Sequence, residues 1–260
     1  MKQASVFWGA ALVVLGVLFL LQTQGIIGNV WPYVFPVGLI LVGGWIVLGI
    51  FWKPAHGVDE TFSVSLQSAK NVRYKFAHGA GQIEIRGGAP MGQALVGSSG
   101  VGMNYRSRLS GDQLEVEVDA GPSIIPFIGP SSGVWQYQLT QEVPVALKID
   151  TGASRLIVDL KDVPATRIEL QTGASATEMT MPARGASYLD VEAGAASINI
   201  RVPEATAGRI RMKEGVTALN VDTNRFPQTS SGFYQSPNYD SAQDRAEISI
   251  EAGMGSITIK

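Results

Sequence analysis

The chain has no cysteine among its 260 residues, which excludes a disulfide framework and any thiolate metal site. Histidine is nearly as scarce. The two copies, His56 and His78, form no His-x-x-x-His pair, and neither a G-x-x-x-x-G-K-[ST] loop nor a D-x-D-x-D-G frame occurs. Zincin, P-loop and EF-hand chemistry therefore lack their residues. The formal net charge is −2, so the chain has no long-range attraction for nucleic acid or another polyanion. Charge is also missing locally, with none between Gln3 and Trp52. No catalytic, cofactor-binding or metal-binding residue is expected, and the chain is not expected to be an enzyme.

The uncharged stretch holds two apolar runs, Val6–Leu21 and Val34–Trp52, separated by Q-T-Q-G-I-I-G-N-V-W-P-Y. A spanning helix needs about 17–25 residues, and each run with its flanks meets that. Residues 1–55 read as a transmembrane helical hairpin with spans of about 5–22 and 34–52. Trp8 and Trp52 fall at one interface and Trp31 and Tyr33 at the other, as amphipathic rings prefer. A cleaved signal peptide competes for the first run. No small-x-small site precedes the loop, however, and a second apolar run follows. Lys2 and Lys53 flank the hairpin on one side and the loop has no Lys or Arg. The positive-inside rule then places both ends, and the C-terminal domain, in the cytoplasm. All 22 acidic residues follow the hairpin.

A phrase recurs from Leu147 onward. It reads L-K-I-D-T-G-A-S-R-L-I-V, I-E-L-Q-T-G-A-S-A-T-E-M, L-D-V-E-A-G-A-A-S-I-N-I and I-R-M-K-E-G-V-T-A-L-N-V, with Gly152, Gly173, Gly194 and Gly215 spaced 21 residues apart. A fifth copy is centred on Gly253. Aligned on the glycine, columns form five residues before it (Leu147, Ile168, Leu189, Ile210, Ile248) and three before (Ile149, Leu170, Val191, Met212, Ile250). Two more lie four residues after it (Leu156, Thr177, Ile198, Leu219, Ile257) and six after (Val158, Met179, Ile200, Val221, Ile259). Apolar residues two apart mark strands with one buried face. Each copy is thus strand, glycine turn, strand, and the glycine is expected to supply a positive φ at the corner. Ala165, Ala186 and Ala207 form a further column of small residues. A unit this short buries its apolar face only against its neighbours, which is the logic of a solenoid. The predicted fold is a membrane-anchored all-β chain: the hairpin, then a C-terminal single-stranded β-helix or β-solenoid with 21-residue repeats. An antiparallel meander or sandwich is the alternative.

Residues 56–146 read as an irregular β capping part, and 147–260 as the regular repeats. H-G-A-G-Q-I-E-I at 78–85 looks like a degenerate glycine unit, with Ile83 and Ile85 at the expected offsets from Gly79. Two insertions interrupt the pattern. The apolar loop 121–133 is expected to dock on its own domain, with a partner or the nearby bilayer as the alternatives. The segment 225–246, rich in Ser, Gly, Pro, Asn and Gln, reads as a long mobile loop, with Phe233, Tyr234 and Tyr239 tacking it down or contacting a ligand. Lys260 directly follows a strand, so the final coil is expected to leave an open edge.

The T-G-A-S phrases at 151–154 and 172–175 suggest a serine nucleophile only superficially, since they repeat and no histidine base accompanies them. Asp150, Asp159, Asp190 and Glu192 fall at outward strand positions and read as a solvated face.

The uncharged double span with W-P at its loop, followed by I-D-T-G-A-S-R-L-I-V-D-L and V-E-A-G-A-A-S-I-N-I-R-V-P, resembles the LiaF-like bacterial membrane proteins. These join a LiaI/LiaF-type transmembrane region to a toastrack β domain. The resemblance implies a multi-pass protein of the bacterial inner membrane, non-enzymatic, acting as sensor or scaffold in cell-envelope stress signalling. Its partners would be the lipid bilayer and either a sensor kinase, another envelope-stress component, or further copies of itself. The 225–246 segment departs from the family pattern. Two other readings stand beside this one: an extracytoplasmic adhesin-like or glycan-binding β-helix module, and an enzyme with paired carboxylates on one solenoid face. Orientation separates the first two. A reporter fused after Lys260 is expected to be active only if it functions in the cytoplasm; activity of an export-dependent reporter instead would reverse the assignment.

Overall fold

The repeat period alone does not say which way each strand faces; the change of phase at the glycine does. In Val145–Asp159, Leu147, Ile149 and Thr151 point inward, Gly152 and Ala153 are both exposed, and Leu156 and Val158 point inward again. Two consecutive outward residues shift the alternation by one position, so one continuous strand turns a corner and keeps its apolar side on the core.

The computed structural model describes residues 20, 22–25, 60–99, 103–120, 134–213 and 216–260. The chain divides into two units, Met1–His56 and Gly57–Lys260. In the first, the described residues form only a helical turn. The predicted spans apart from residues 20 and 22, the linker histidine His56, the loop 121–133 and Gly215 lie outside the described residues. No helix among those described is long and apolar enough to cross a membrane.

The second unit is all-β. Its strands are β1 (Glu60–Ser65), β2 (Asn71–Gly87), β3 (Gln93–Ser99), β4 (Met103–Ser110), β5 (Gln113–Ala120), β6 (Val134–Leu139) and β7 (Val145–Asp159). There follow β8 (Ala165–Thr180), β9 (Ala186–Arg201), β10 (Ala207–Met212), β11 (Val216–Val221), β12 (Gln228–Ser230), β13 (Phe233–Gln235) and β14 (Arg245–Ile259). The long bent strands β2, β7, β8, β9 and β14 stack in parallel and in register. This is a β-solenoid, and the parallel pairing excludes the meander. The aligned columns become physical ladders. Tyr74, Leu147, Ile168, Leu189, Ile248 and Ile210 follow one another coil on coil, as do Ile83, Leu156, Thr177, Ile198, Ile257 and Leu219. Nearly all are fully buried, each aliphatic side chain contributing roughly 1.5–3 kcal/mol relative to exposure. Thr177 is the polar interruption, with its hydroxyl 3.2 Å from that of Ser175. The alanine column is less uniform: Ala165 and Ala207 are buried but Ala186 is exposed.

The order of coils differs from the order of copies. The C-terminal strand β14 is inserted between β9 on one side and β10 with β11 on the other. The expected open edge at Lys260 is therefore wrong, because the last copy is an interior rung. The expected mobile loop is also corrected. The 225–246 segment carries β12 and β13, and β13 pairs antiparallel with β10. Phe226 is fully buried under Gly208, where a Cβ would lie 2.5 Å from its ring. Tyr239 is buried with the Arg209 guanidinium 4.0 Å from its ring centroid. The polar composition disguised a cap pinned by two aromatic anchors. At the other end β5 and β6 each cover one half of β2.

The glycine column has a different cause from the one expected. None of Gly79, Gly152, Gly173, Gly194 and Gly253 has a positive φ. Each of the last four instead sits against the preceding coil's glycine carbonyl: a Cβ would lie 2.5 Å from Gly79 O at Gly152, 2.9 Å from Gly152 O at Gly173, 2.8 Å from Gly173 O at Gly194 and 3.0 Å from Gly194 O at Gly253. Gly79 stands first in this series, and a Cβ there would meet no described residue within 4 Å. Gly173→Ala is expected to cost about 1–3 kcal/mol through forced separation of two backbones. Gly79→Ala is expected to stay within about 0.5 kcal/mol or to stabilise slightly by restricting the unfolded chain. Denaturant unfolding of the two variants checks this; equal effects would remove the carbonyl contact as the cause.

Candidate functional site

An open groove of about 950 Å³ runs along the glycine column, perpendicular to the strands. Its floor is backbone, because the column carries no side chains. Its wall is the outward position two residues before each glycine. Pairing places Asp119 beside Ala77, Ala77 beside Asp150, then Gln171, Glu192 and Glu251 in succession. Neighbouring coils are about 4.8 Å apart, so four carboxylates share one row. At its C-terminal end the Lys213 ammonium lies 3.1 Å from Glu251 Oε2. Glu251 first, and the Asp190 and Glu192 charges after it, raise the Lys213 pKa. The Gln171 amide donates to Glu192 Oε2 at 3.0 Å. Asp150 Oδ1 is buried with no hydrogen-bond partner among the described residues.

One residue inside this row lies a second, polar column. The Thr151 hydroxyl donates to the Thr172 hydroxyl at 3.1 Å, and His78 stands opposite Thr151. His78 is only 4% exposed. Its Nε2 is 3.0 Å from the Tyr137 hydroxyl, its ring packs 5.3 Å from that of Trp135, and Nδ1 has no partner among the described residues. Burial pushes its pKa down to about 4, and burial likewise raises Tyr137. Imidazole and phenol are both neutral near pH 7.

Of the acids read from sequence as a solvated face, Asp150 and Glu192 line the groove. Asp190 lies two residues before Glu192 on the same outward face, and Asp159 accepts from the Lys161 amide at 3.1 Å beyond the strand. Ser154 stands opposite Gly81, three positions along from His78, and the Ser175 hydroxyl bonds Thr177; neither forms a nucleophile–base pair. Among the described residues no group of three or more His, Asp or Glu side chains is placed to hold a metal. The aromatics of the 225–246 segment serve the cap: Arg211 lies 5.7 Å from the Phe233 ring centroid, as Arg209 does closer to Tyr239. Sequence reading missed the groove, although the acids of Asp150, Glu192 and Glu251 share one offset from the glycine and could have been aligned.

A parallel β-solenoid with a backbone-floored groove along its corner is the class these features define. The chain belongs to the toast-rack family: the sequence profile described as the N-terminal domain of toast_rack, DUF2154, matches residues 53–201. A crystal structure of a proposed cell adhesion protein from Clostridium sporogenes is similar, with a TM-score of 0.70 at 18% identity over 78% of this chain and 98% of that one. At that identity the likeness concerns the fold. No curated protein matches the sequence significantly.

His78 gives the site a pH signature. Above pH 6.5 both folded and unfolded chains hold the imidazole neutral, so it adds no pH dependence. As pH falls from 6.5, the unfolded chain takes the proton and the folded chain resists until about 4. Stability is therefore lost across that window, by about 3 kcal/mol at most. Comparing unfolding midpoints at pH 7 and pH 4.5, the wild type is expected to lose distinctly more than His78→Gln; equal losses would show that His78 does not carry the effect.

Proposed function

We propose that this protein is a non-enzymatic scaffold of the bacterial inner membrane, held by an N-terminal helical hairpin and acting in cell-envelope stress sensing. The uncharged stretch from Gln3 to Trp52 supports the anchor, and membership of the toast-rack family supports the module that follows it. The observation that carries the reading is the in-register ladder of outward side chains. Parallel rungs joined residue by residue from β2 to β14 make a rigid surface, and a rigid surface loses little entropy when a partner docks. In this role the solenoid presents its face to a membrane-bound kinase or to a second copy.

The likeness to the Clostridium sporogenes protein favours a second reading, an adhesin-like or glycan-binding module outside the cytoplasm. It requires the opposite membrane orientation.

Photo-crosslinking tests the scaffold reading. A benzophenone amino acid replaces Gln171, Glu178 or Asn199, all outward positions, and membranes are irradiated with and without a cell-wall inhibitor. Adducts with a kinase or with a second copy are expected at one or more positions. Absence of protein adducts at all three, in both conditions, would sink it.

A further inference from the structure

The row of carboxylates is not balanced from within. Lys213 meets Glu251, but among the described residues no cation pairs with Asp119, Asp150 or Glu192. Successive carboxylates of the row stand two coils apart, and Glu192 and Glu251 one coil apart; like charges at these separations repel one another, and only the exposed ones relax freely into water. Asp150 does not: its Oδ1 is buried and has no hydrogen-bond partner among the described residues. A buried acceptor left without a donor is destabilising, more so when charged. His78, lining the same groove and nine-tenths buried, leaves Nδ1 in the same state. These two unmet groups lie on adjacent coils, since Ala77 faces Asp150 and His78 faces Thr151. The remedy is visible at the far end of the row, where a lysine ammonium rests on a carboxylate.

The length of the row selects the kind of cation. From Asp119 to Glu251 there are five inter-coil steps, roughly 24 Å. An extended chain of about seven residues covers that distance. The floor, being glycine backbone, leaves room for such a chain to lie flat.

We propose that the groove binds an extended polypeptide segment of the partner bearing several lysine or arginine side chains, whose cationic groups seat on Asp119, Asp150 and Glu192. The assignment rests on the scaffold reading above and names the partner's chemistry. Charge complementarity sets the register and hastens encounter, while desolvation of Asp150 by the bound segment supplies specificity. The Lys213–Glu251 contact closes the C-terminal end of the row.

The test uses the full-length chain in an uncharged maltoside detergent, which has no affinity of its own for cations. Fluorescein-labelled hexalysine is titrated and followed by anisotropy. Binding is expected at 50 mM salt, weakened at least fivefold at 300 mM because several charges pair, and absent for labelled hexaglutamate. Asp150→Asn is expected to weaken it about tenfold. The double variant Glu192→Gln/Glu251→Gln, altered only at exposed positions and so independent of any folding defect at Asp150, weakens it at least as much. Glu178→Gln, on the outward face beyond the corner, changes it less than twofold. No binding of hexalysine, equal loss in the Glu178→Gln control, or retention of chitohexaose that hexalysine does not displace would each overturn the proposal. The two readings fail separately. Crosslinks at position 171 without hexalysine binding would leave the scaffold and remove the basic partner. Binding that depends on Asp150, with no crosslink at any position, would keep the groove's specificity and remove the scaffold.

Discussion

A carbonyl oxygen resting against the next glycine is the contact on which this structure turns. Parallel coils are held about 4.8 Å apart by their hydrogen bonds, and at the corner the chain offers its carbonyl toward the coil above. Any side chain there would intrude to within 3.0 Å or less of that oxygen from Gly152 onward. The column of glycines is thus a spacing device. It lets the corner close to the same distance as the flat parts of the strands. The aliphatic ladders on either side of it depend on that equality: if the corner opened, Ile149 and Leu156 would lose register with Leu170 and Thr177 together.

The same contact shapes the surface. A corner lined with glycine has no side chains to fill it, so a groove follows from the packing rule. The outward residue two positions before each glycine then forms its wall on every coil. The charges found there, Asp119, Asp150, Glu192 and Glu251, are not needed by the core, which is satisfied by the inward columns. A site built on rigid strands holds its geometry better than one carried on loops.

The ends obey a different constraint. A stack of strands exposes unpaired backbone and apolar rungs at each terminus, which invites uncontrolled association. Here the chain leaves the simple order of copies to manage this. Its last strand returns to sit between β9 and β10, so the C-terminus is locked by pairing on both sides. The intervening segment folds over β10, anchored by Phe226 beneath Gly208 and by Tyr239 beneath Arg209. Such long-range pairing is entropically costly to close, and it leaves the last strand hydrogen-bonded on both sides.

The sequence by itself determined the rungs. Period and alternation are local properties of the chain, and Leu147, Ile168 and Leu189 had to share a column once a common strand length and a common corner recurred every 21 residues. It also fixed the buried and exposed faces, because alternation leaves no other assignment. The tertiary structure alone decided why the glycines are there, since a close approach between backbones belongs to two coils at once and a positive φ to one. It alone decided the position of the last copy, because the order in which similar rungs pair is a property of the stack and not of any one rung. It alone turned the 225–246 segment from a polar loop into a lid on the stack. And it alone made a groove of Asp150, Glu192 and Glu251, for acids scattered 42 and 59 residues apart in sequence join one row only when the coils that carry them are laid one upon another.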